Sequence, residues 1–264
     1  MASETAARGR LRSNSEIPVP LFDPSTVPRE VCSPSGVADV NALVEALRAQ
    51  RVERIEMQES PRGFRVSNKA RTYCQGQLWR CLDLVEGAET LRLAGHELST
   101  MLMVRAIYET IAAFVHFERK FASTMRPLEA EEDLKRIYEF LHAKTFATRK
   151  ENLLAQIGEN EAVKATQVLN QIDEMKKVYP ADRDDYDFLC EFAHPNAFGG
   201  YLWFAKDDRQ SDVVRFSAIG PNPEETLFWS IQGAHLLKHF ADALDRMNKQ
   251  LTDLSVFGRR LGRG

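Results

Sequence analysis

"MLMVRAIYETIAAFVHF", residues 101–117, is the most apolar stretch of a 264-residue chain, and it carries Arg105 and Glu109 in its middle. On a helix, Glu109 lies about 40° from Arg105, with Ala112 about 20° to the other side and His116 about 20° away three turns on. These residues make one stripe, flanked by Leu98, Met101, Leu102 and Tyr108. The stripe cannot face water without exposing those side chains too, so Arg105 and Glu109 are expected to be at least partly buried as a charge-assisted pair. Burying such a pair costs desolvation and is poor evidence for stability, which makes the pair a candidate site. Residues 98–117 are long enough to cross a bilayer, but Arg105, Glu109 and His116 would each be costly in lipid. The segment reads as a core helix, with no membrane partner.

The rest of the chain supplies helices to enclose it. With 44 % hydrophobic residues the chain can bury a core, and it reads as one helical domain with a tail. The net charge of -3 excludes a general nucleic-acid coating protein but leaves room for a local basic groove. Val40, Leu43, Val44 and Leu47 recur at helical spacing between Val37 and about Gln58, where Arg48, Arg51 and Arg54 alternate with Glu45, Glu53 and Glu56 as a solvated face. After "SPRG" at 60–63, a second helix carries a broad apolar stripe from Val66 through Leu78 to Val85, and Gly95 punctuates the entry to the core helix, which stops before Pro127. "LEAEEDLKRIYEFLHAK" and "EAVKATQVLNQIDEMKKV" read as two further helices, and "RDDYDFLCEFAH" as another, N-capped by Asp182 and stopped by Pro195. "YLWFA" and "VVRFSAI", within about 200–219, read as a small β-hairpin, and "NPEETLFWSIQGAHLLKHFADALDRMNKQL" returns to helical periodicity. The expected fold is mainly α, an antiparallel helical bundle with a small β-hairpin before the last long helix. The bundle spans 37–254, after a tail over 1–36 that stays unordered or wraps the bundle and is a candidate partner-binding arm. Residues 255–264 form a basic flexible end.

Cys32, Cys74, Cys81 and Cys190 show no metal-binding spacing, and Cys74 and Cys81, seven apart on one helix face, read as buried thiols in a reducing compartment. The amino end lacks the apolar run of a secretory signal, so a cytoplasmic location is expected. No cofactor is expected either, since no phosphate-binding loop, dinucleotide fingerprint, nucleophile elbow or zinc ligand set is present.

The second candidate stretch is "RDDYDFLCEFAHPN", residues 183–196. With Arg183 at zero on the helical wheel, Asp187, Cys190 and His194 fall close to it, while Phe188, Leu189, Phe192 and Ala193 cover an arc of about 140° to 280°. His194 thus sits beside the apolar face in the last turn, where the helix C-terminus favours imidazolium and burial opposes it; such a balance suits acid or base work. The plainer readings are a His that caps its own helix, a Tyr186 whose hydroxyl is tied to a core partner, and an Asn196 that makes a turn. Arg136 and His142 satisfy a loose Arg-to-His ribonuclease pattern but lie about 240° apart on a continuous helix, hence off one face. The E-x-x-H matches at 139–142 and 191–194 would suit a di-iron bundle with Glu109, but Glu139 faces away from Ile137 and Leu141, and no metal site is assigned.

"RAIYE" in a long apolar helix, then "YDFLCEFAHPN", a hairpin and a final helix resemble a little-characterised, mainly microbial helical family recognised by Arg-x3-Glu and Tyr-x2-Leu-x4-His-Pro elements and distantly similar to the HEPN bundles of stress and phage-defence systems. The resemblance covers about residues 65–250. It implies a shared pocket in which Arg105, Glu109, Tyr186 and His194 act on substrate, with Arg183 and Asn196 as substrate contacts. It further implies a metal-independent ribonuclease, or an RNA- or nucleotide-binding protein. This chain lacks the polar residue that usually follows the Arg of a HEPN nuclease motif. The alternative from another class is a non-enzymatic interaction or homodimerisation module whose buried polar network fixes helix register.

Overall fold

The computed structural model describes residues 19–57, 62–145, 147–148, 150, 152, 166–180, 182–208, 213–217 and 222–261. Eight long helices are found among them: α1 Pro34–Arg48, α2 Arg62–Leu93, α3 Glu97–Thr124, α4 Glu131–Thr145, α5 Val168–Lys176, α6 Asp182–Ala193, α7 Pro223–His235 and α8 Leu237–Leu261. A two-stranded antiparallel sheet, β1 Ala205–Asp208 and β2 Val213–Phe216, pairs Ala205 with Phe216 and Asp208 with Val213 between α6 and α7. The expected mainly helical bundle with a hairpin before the last long helix is what the chain forms.

The helix boundaries follow local chemistry. Ser33 accepts from Gly36 N at 3.1 Å ahead of Pro34, and Asn222 accepts from Glu225 N at 3.2 Å ahead of Pro223, so each helix begins on a side-chain cap followed by proline. Gly95 takes φ 77° and closes α2 with a paired turn, His96 N to Leu91 O at 2.8 Å and Gly95 N to Arg92 O at 3.0 Å. That turn reverses the chain into α3.

α3 is the axle of the bundle. It packs against α2, α4, α5, α6, α7 and α8, and Met101, Val104, Ile107, Ile111, Ala112, Phe114 and Phe121 along it are fully buried. It is the one helix among the described residues long and apolar enough to cross a membrane, and more than half of that window is covered by its neighbours. Rings of Phe114 and Phe240 stack at 4.3 Å, joining α3 to α8. Buried acids are matched: Glu118 accepts from Arg246 and Gln250, each at 3.0 Å, and Glu89 takes both guanidinium branches of Arg92 at 2.7 Å. Residues 19–33 lie on the bundle, with Phe22 buried and its backbone exchanging bonds with the Asn41 side chain.

Four expectations need correction. The first helix ends at Arg48 rather than near 58, because Gln75 and Trp79 of α2 bind the backbone of Gln50 and Val52 and hold that strip extended along α2. "YLWF" is not strand. Asn196 caps a π-helical turn over Ala197–Tyr201 that runs into one helical turn, Leu202–Phe204, and buries Trp203 against Phe192. Gly199 is required there, since a Cβ would stand 2.1 Å from the His194 carbonyl oxygen. The final helical stretch is broken at Leu236 into α7 and α8, and α8 runs on through Leu261 instead of ending at 254, because Ser255 and Gly258 are still buried and Ser255 meets Ser67 of α2 at 2.9 Å.

Replacing Phe114 by Ala should lower the unfolding free energy by about 3–5 kcal/mol, read as a shift of the urea midpoint at unchanged slope. Phe216→Ala on the hairpin, where the ring is 75 % exposed, should move it by no more than about 0.5 kcal/mol.

Candidate functional site

Three of the four expected residues meet where α3 faces α6. Arg105 Nη2 lies 2.9 Å from Glu109 Oε1, one turn away on α3, with the two side chains 28 % and 31 % exposed. Tyr186 of α6, itself fully buried, donates its hydroxyl to Glu109 Oε1 at 3.1 Å and accepts from Arg105 Nη2 at 3.4 Å. The guanidinium carbon also stands 5.7 Å from the centre of the Tyr186 ring. Burial works against the charge on Arg105, but Tyr186 and Glu109 outweigh it and raise its pKa above the ordinary arginine value. Burial, with the Glu109 charge beside it, pushes the Tyr186 phenol up to about 12, so it stays a neutral donor.

This triangle engages only one end of the guanidinium. Both bonds come from Nη2, Nε is buried without a partner among the described residues, and Nη1 makes no bond to any of them. A guanidinium has five donors in a fixed fork. Arg105 is therefore held from behind with part of its fork uncommitted and part of its surface open.

The remaining expected residues do not join this triangle. Arg183 bonds Asp187 at 2.8 Å and also reaches Asp173, so it clips α6 to α5. The Cys190 sulfur lies within electrostatic reach of Arg105, Arg183 and Tyr186. Asn196 donates to Glu191 at 2.8 Å and accepts from Gly199 N, which makes it a turn residue. His194 is exposed, one residue past the end of α6, and its ring makes no hydrogen bond or ion pair with a described residue.

Beside this triangle stand further polar pairs that the sequence did not mark as a site. Tyr108 of α3 donates to Asp185 Oδ2 of α6 at 3.0 Å, and His239 Nε2 of α8 lies 3.2 Å from Asp182 Oδ2 with its ring stacked on Tyr179 at 3.4 Å. Asp182, expected as an N-cap, is the first residue of α6, with its carboxylate turned to His239. Asp185 was detectable: it falls at about 200° on the helical wheel, inside the apolar arc, where an acid needs a partner. His239 offered no such sign, because its partner is 57 residues away.

The motifs set aside have ordinary roles. Arg136 bonds Asp133 and the carbonyls of Thr124 and Pro127, which closes the turn between α3 and α4. His142 lies 3.3 Å from Lys69 Nζ. Burial pushes the Cys74 thiol up to about 12 and the Cys81 thiol up as well, so both behave as core residues. Among the described residues, no three His, Cys, Asp or Glu side chains are grouped as a metal ion would require.

Asp185 gives the seam a signature in pH. Burial, and the nearby Asp182 and Asp184 charges, raise its pKa above the ordinary carboxyl value although the Tyr108 hydroxyl pulls it down. A carboxyl raised by folding contributes stability that is present in acid and is lost as pH rises through the folded pKa. Asp185→Asn, which keeps an acceptor for Tyr108, should remove that falling segment from a plot of melting temperature against pH. Superimposable pH profiles for the two proteins would contradict the assignment.

Comparison with known proteins finds no family model that matches the chain, no curated protein similar to it and no solved structure that matches it, so the chemistry of the site rests on its own geometry.

Proposed function

We propose that the α3–α6 seam binds a phosphodiester of RNA and that the protein is a metal-independent ribonuclease of the HEPN-like kind working in the cytoplasm. The observation that carries this reading is Arg105, oriented through Nη2 by Glu109 and Tyr186 while the rest of its fork is uncommitted. A guanidinium positioned in advance stabilises charge on a phosphate at no reorganisation cost during reaction. His194, exposed one residue past the end of α6 and eight residues on from Tyr186, would take the proton from a ribose 2′-hydroxyl as that oxygen attacks phosphorus. The 5′-oxygen leaves, and a proton returns to it.

A second reading has support of its own. Tyr186 to Glu109, Tyr108 to Asp185 and His239 to Asp182 tie α6 to both α3 and α8. Such a ladder fixes register in a helical interaction module, for which a second copy of the chain is the simplest partner.

Incubating the protein with mixed single-stranded RNA should give cleavage that a chelator leaves unchanged. His194→Ala should reduce the rate about a hundredfold or more while RNA is still bound, and Arg105→Ala should weaken binding as well. Equal cleavage by wild type and His194→Ala would end the ribonuclease reading. A fall of several kcal/mol in stability for Arg105→Ala, with no RNA bound by the wild type, would select the register lock.

A further inference from the structure

A different end of α3 carries charges with which no carboxylate among the described residues forms an ion pair. Arg136 of α4 bonds the Thr124 carbonyl at the end of α3, and the Phe140 ring sits 6.3 Å from Phe121 and 5.6 Å from Phe117. α4 therefore runs back along α3, and Lys144, one turn beyond Phe140, comes level with His116. His116 and Lys120 are four residues apart and share a face of α3. His116 and Lys144 are half-buried, Lys120 is exposed, and the three act on one another electrostatically.

The acid nearest this cluster does not neutralise it. Glu174 of α5 is already bonded to Arg119, at 3.3 Å, and to Lys177. No carboxylate among the described residues forms an ion pair with His116, Lys120 or Lys144. The one polar contact of the Lys144 ammonium among them is the Thr166 hydroxyl at 3.5 Å. Elsewhere on α3, Arg105 has Glu109 as its counter-charge and Glu118 has Arg246. Withdrawing an ammonium from water beside a second ammonium and an imidazole is unfavourable unless an anion completes the group. The C-terminal dipole of α4 offsets only part of that cost.

We propose that His116, Lys120, Lys144 and the Thr166 hydroxyl form a binding site for a phosphate group. Compact ammonium charges, a hydroxyl donor and an imidazole that gains a proton when an anion arrives suit a tetrahedral oxyanion. The site stands apart from the α3–α6 seam and does not depend on the reading given to that seam. Burial, then Lys144, Lys120 and Arg119, lower the His116 pKa against the opposing pull of Glu174. Bound anion reverses the balance, so binding takes up a proton and strengthens as pH falls.

Calorimetric titration of the full chain with inorganic phosphate and with a ribonucleoside 5′-monophosphate tests this, with chloride at equal ionic strength as the blank. Both should bind, and Lys144→Met or Lys120→Met should weaken binding about tenfold or more. Tighter binding of the nucleotide assigns the phosphate to a nucleotide or nucleic acid; equal binding assigns a free phosphate. Sulfate, whose charge is constant near neutrality, should bind more tightly at about pH 6 than at about pH 8, and His116→Gln should flatten that difference. Lys144→Met removes a repelled charge, so it should melt no lower than wild type in anion-free buffer, which shows the variant to be folded. Phosphate bound equally by wild type and Lys144→Met, or bound by neither, overturns the site.

Discussion

Six other helices pack on α3, and this cover sets the terms for the polar groups on its buried faces. A side chain on such a helix either packs as hydrocarbon or must be met by a partner from a neighbour, because water cannot reach it freely. Glu118 is met by α8, Thr110 by Arg80 of α2, and Glu109 by Tyr186 of α6. The helices around α3 are therefore held in rotation and height by a few polar contacts, on a scaffold whose cohesion comes from Phe114, Phe117, Phe121 and their neighbours. Apolar packing alone tolerates small slips between helices; a tyrosine hydroxyl shared between a carboxylate and a guanidinium does not.

Much of this was legible in the chain because its signals are local. The apolar density of 101–117 and Gly95 between two helices each act within a few residues and fold as they read. The errors have a common cause, a tertiary contact overriding a local preference. Residues 49–57 have helical spacing, yet Gln75 and Trp79 capture their backbone. "YLWFA" is a short apolar run that reads as a strand, yet burying Trp203 against Phe192 needs a helical turn, which Asn196 and Gly199 make possible. At the site, the Arg105–Glu109 spacing was readable from one helix, whereas the meeting with Tyr186 was expected only from the family resemblance. Tyr108–Asp185 and His239–Asp182 join elements far apart in sequence, where periodicity carries no information about the partner.

The two charged groups on α3 differ in kind. Around Arg105 the counter-charge is built in, and what is left over is hydrogen-bonding capacity on a guanidinium fixed through Nη2. Around His116, Lys120 and the Lys144 of α4, no carboxylate among the described residues forms an ion pair. On the readings proposed above, the first would select a ligand by geometry and the second by charge. Arg105 and His116 stand about 16 Å apart along α3 at 1.5 Å per residue.

The meeting of Ser67 with Ser255 at 2.9 Å joins the start of α2 to the last turns of α8, 188 residues later. During synthesis, α2 and α3 leave the ribosome long before α8 exists, so the apolar faces that α8 will cover, Phe114 among them, stay bare while some 140 residues are added. Folding from the amino end cannot be completed step by step in this protein; the nascent chain must wait, loosely collapsed and in need of shelter, until its last helix arrives to shut the bundle.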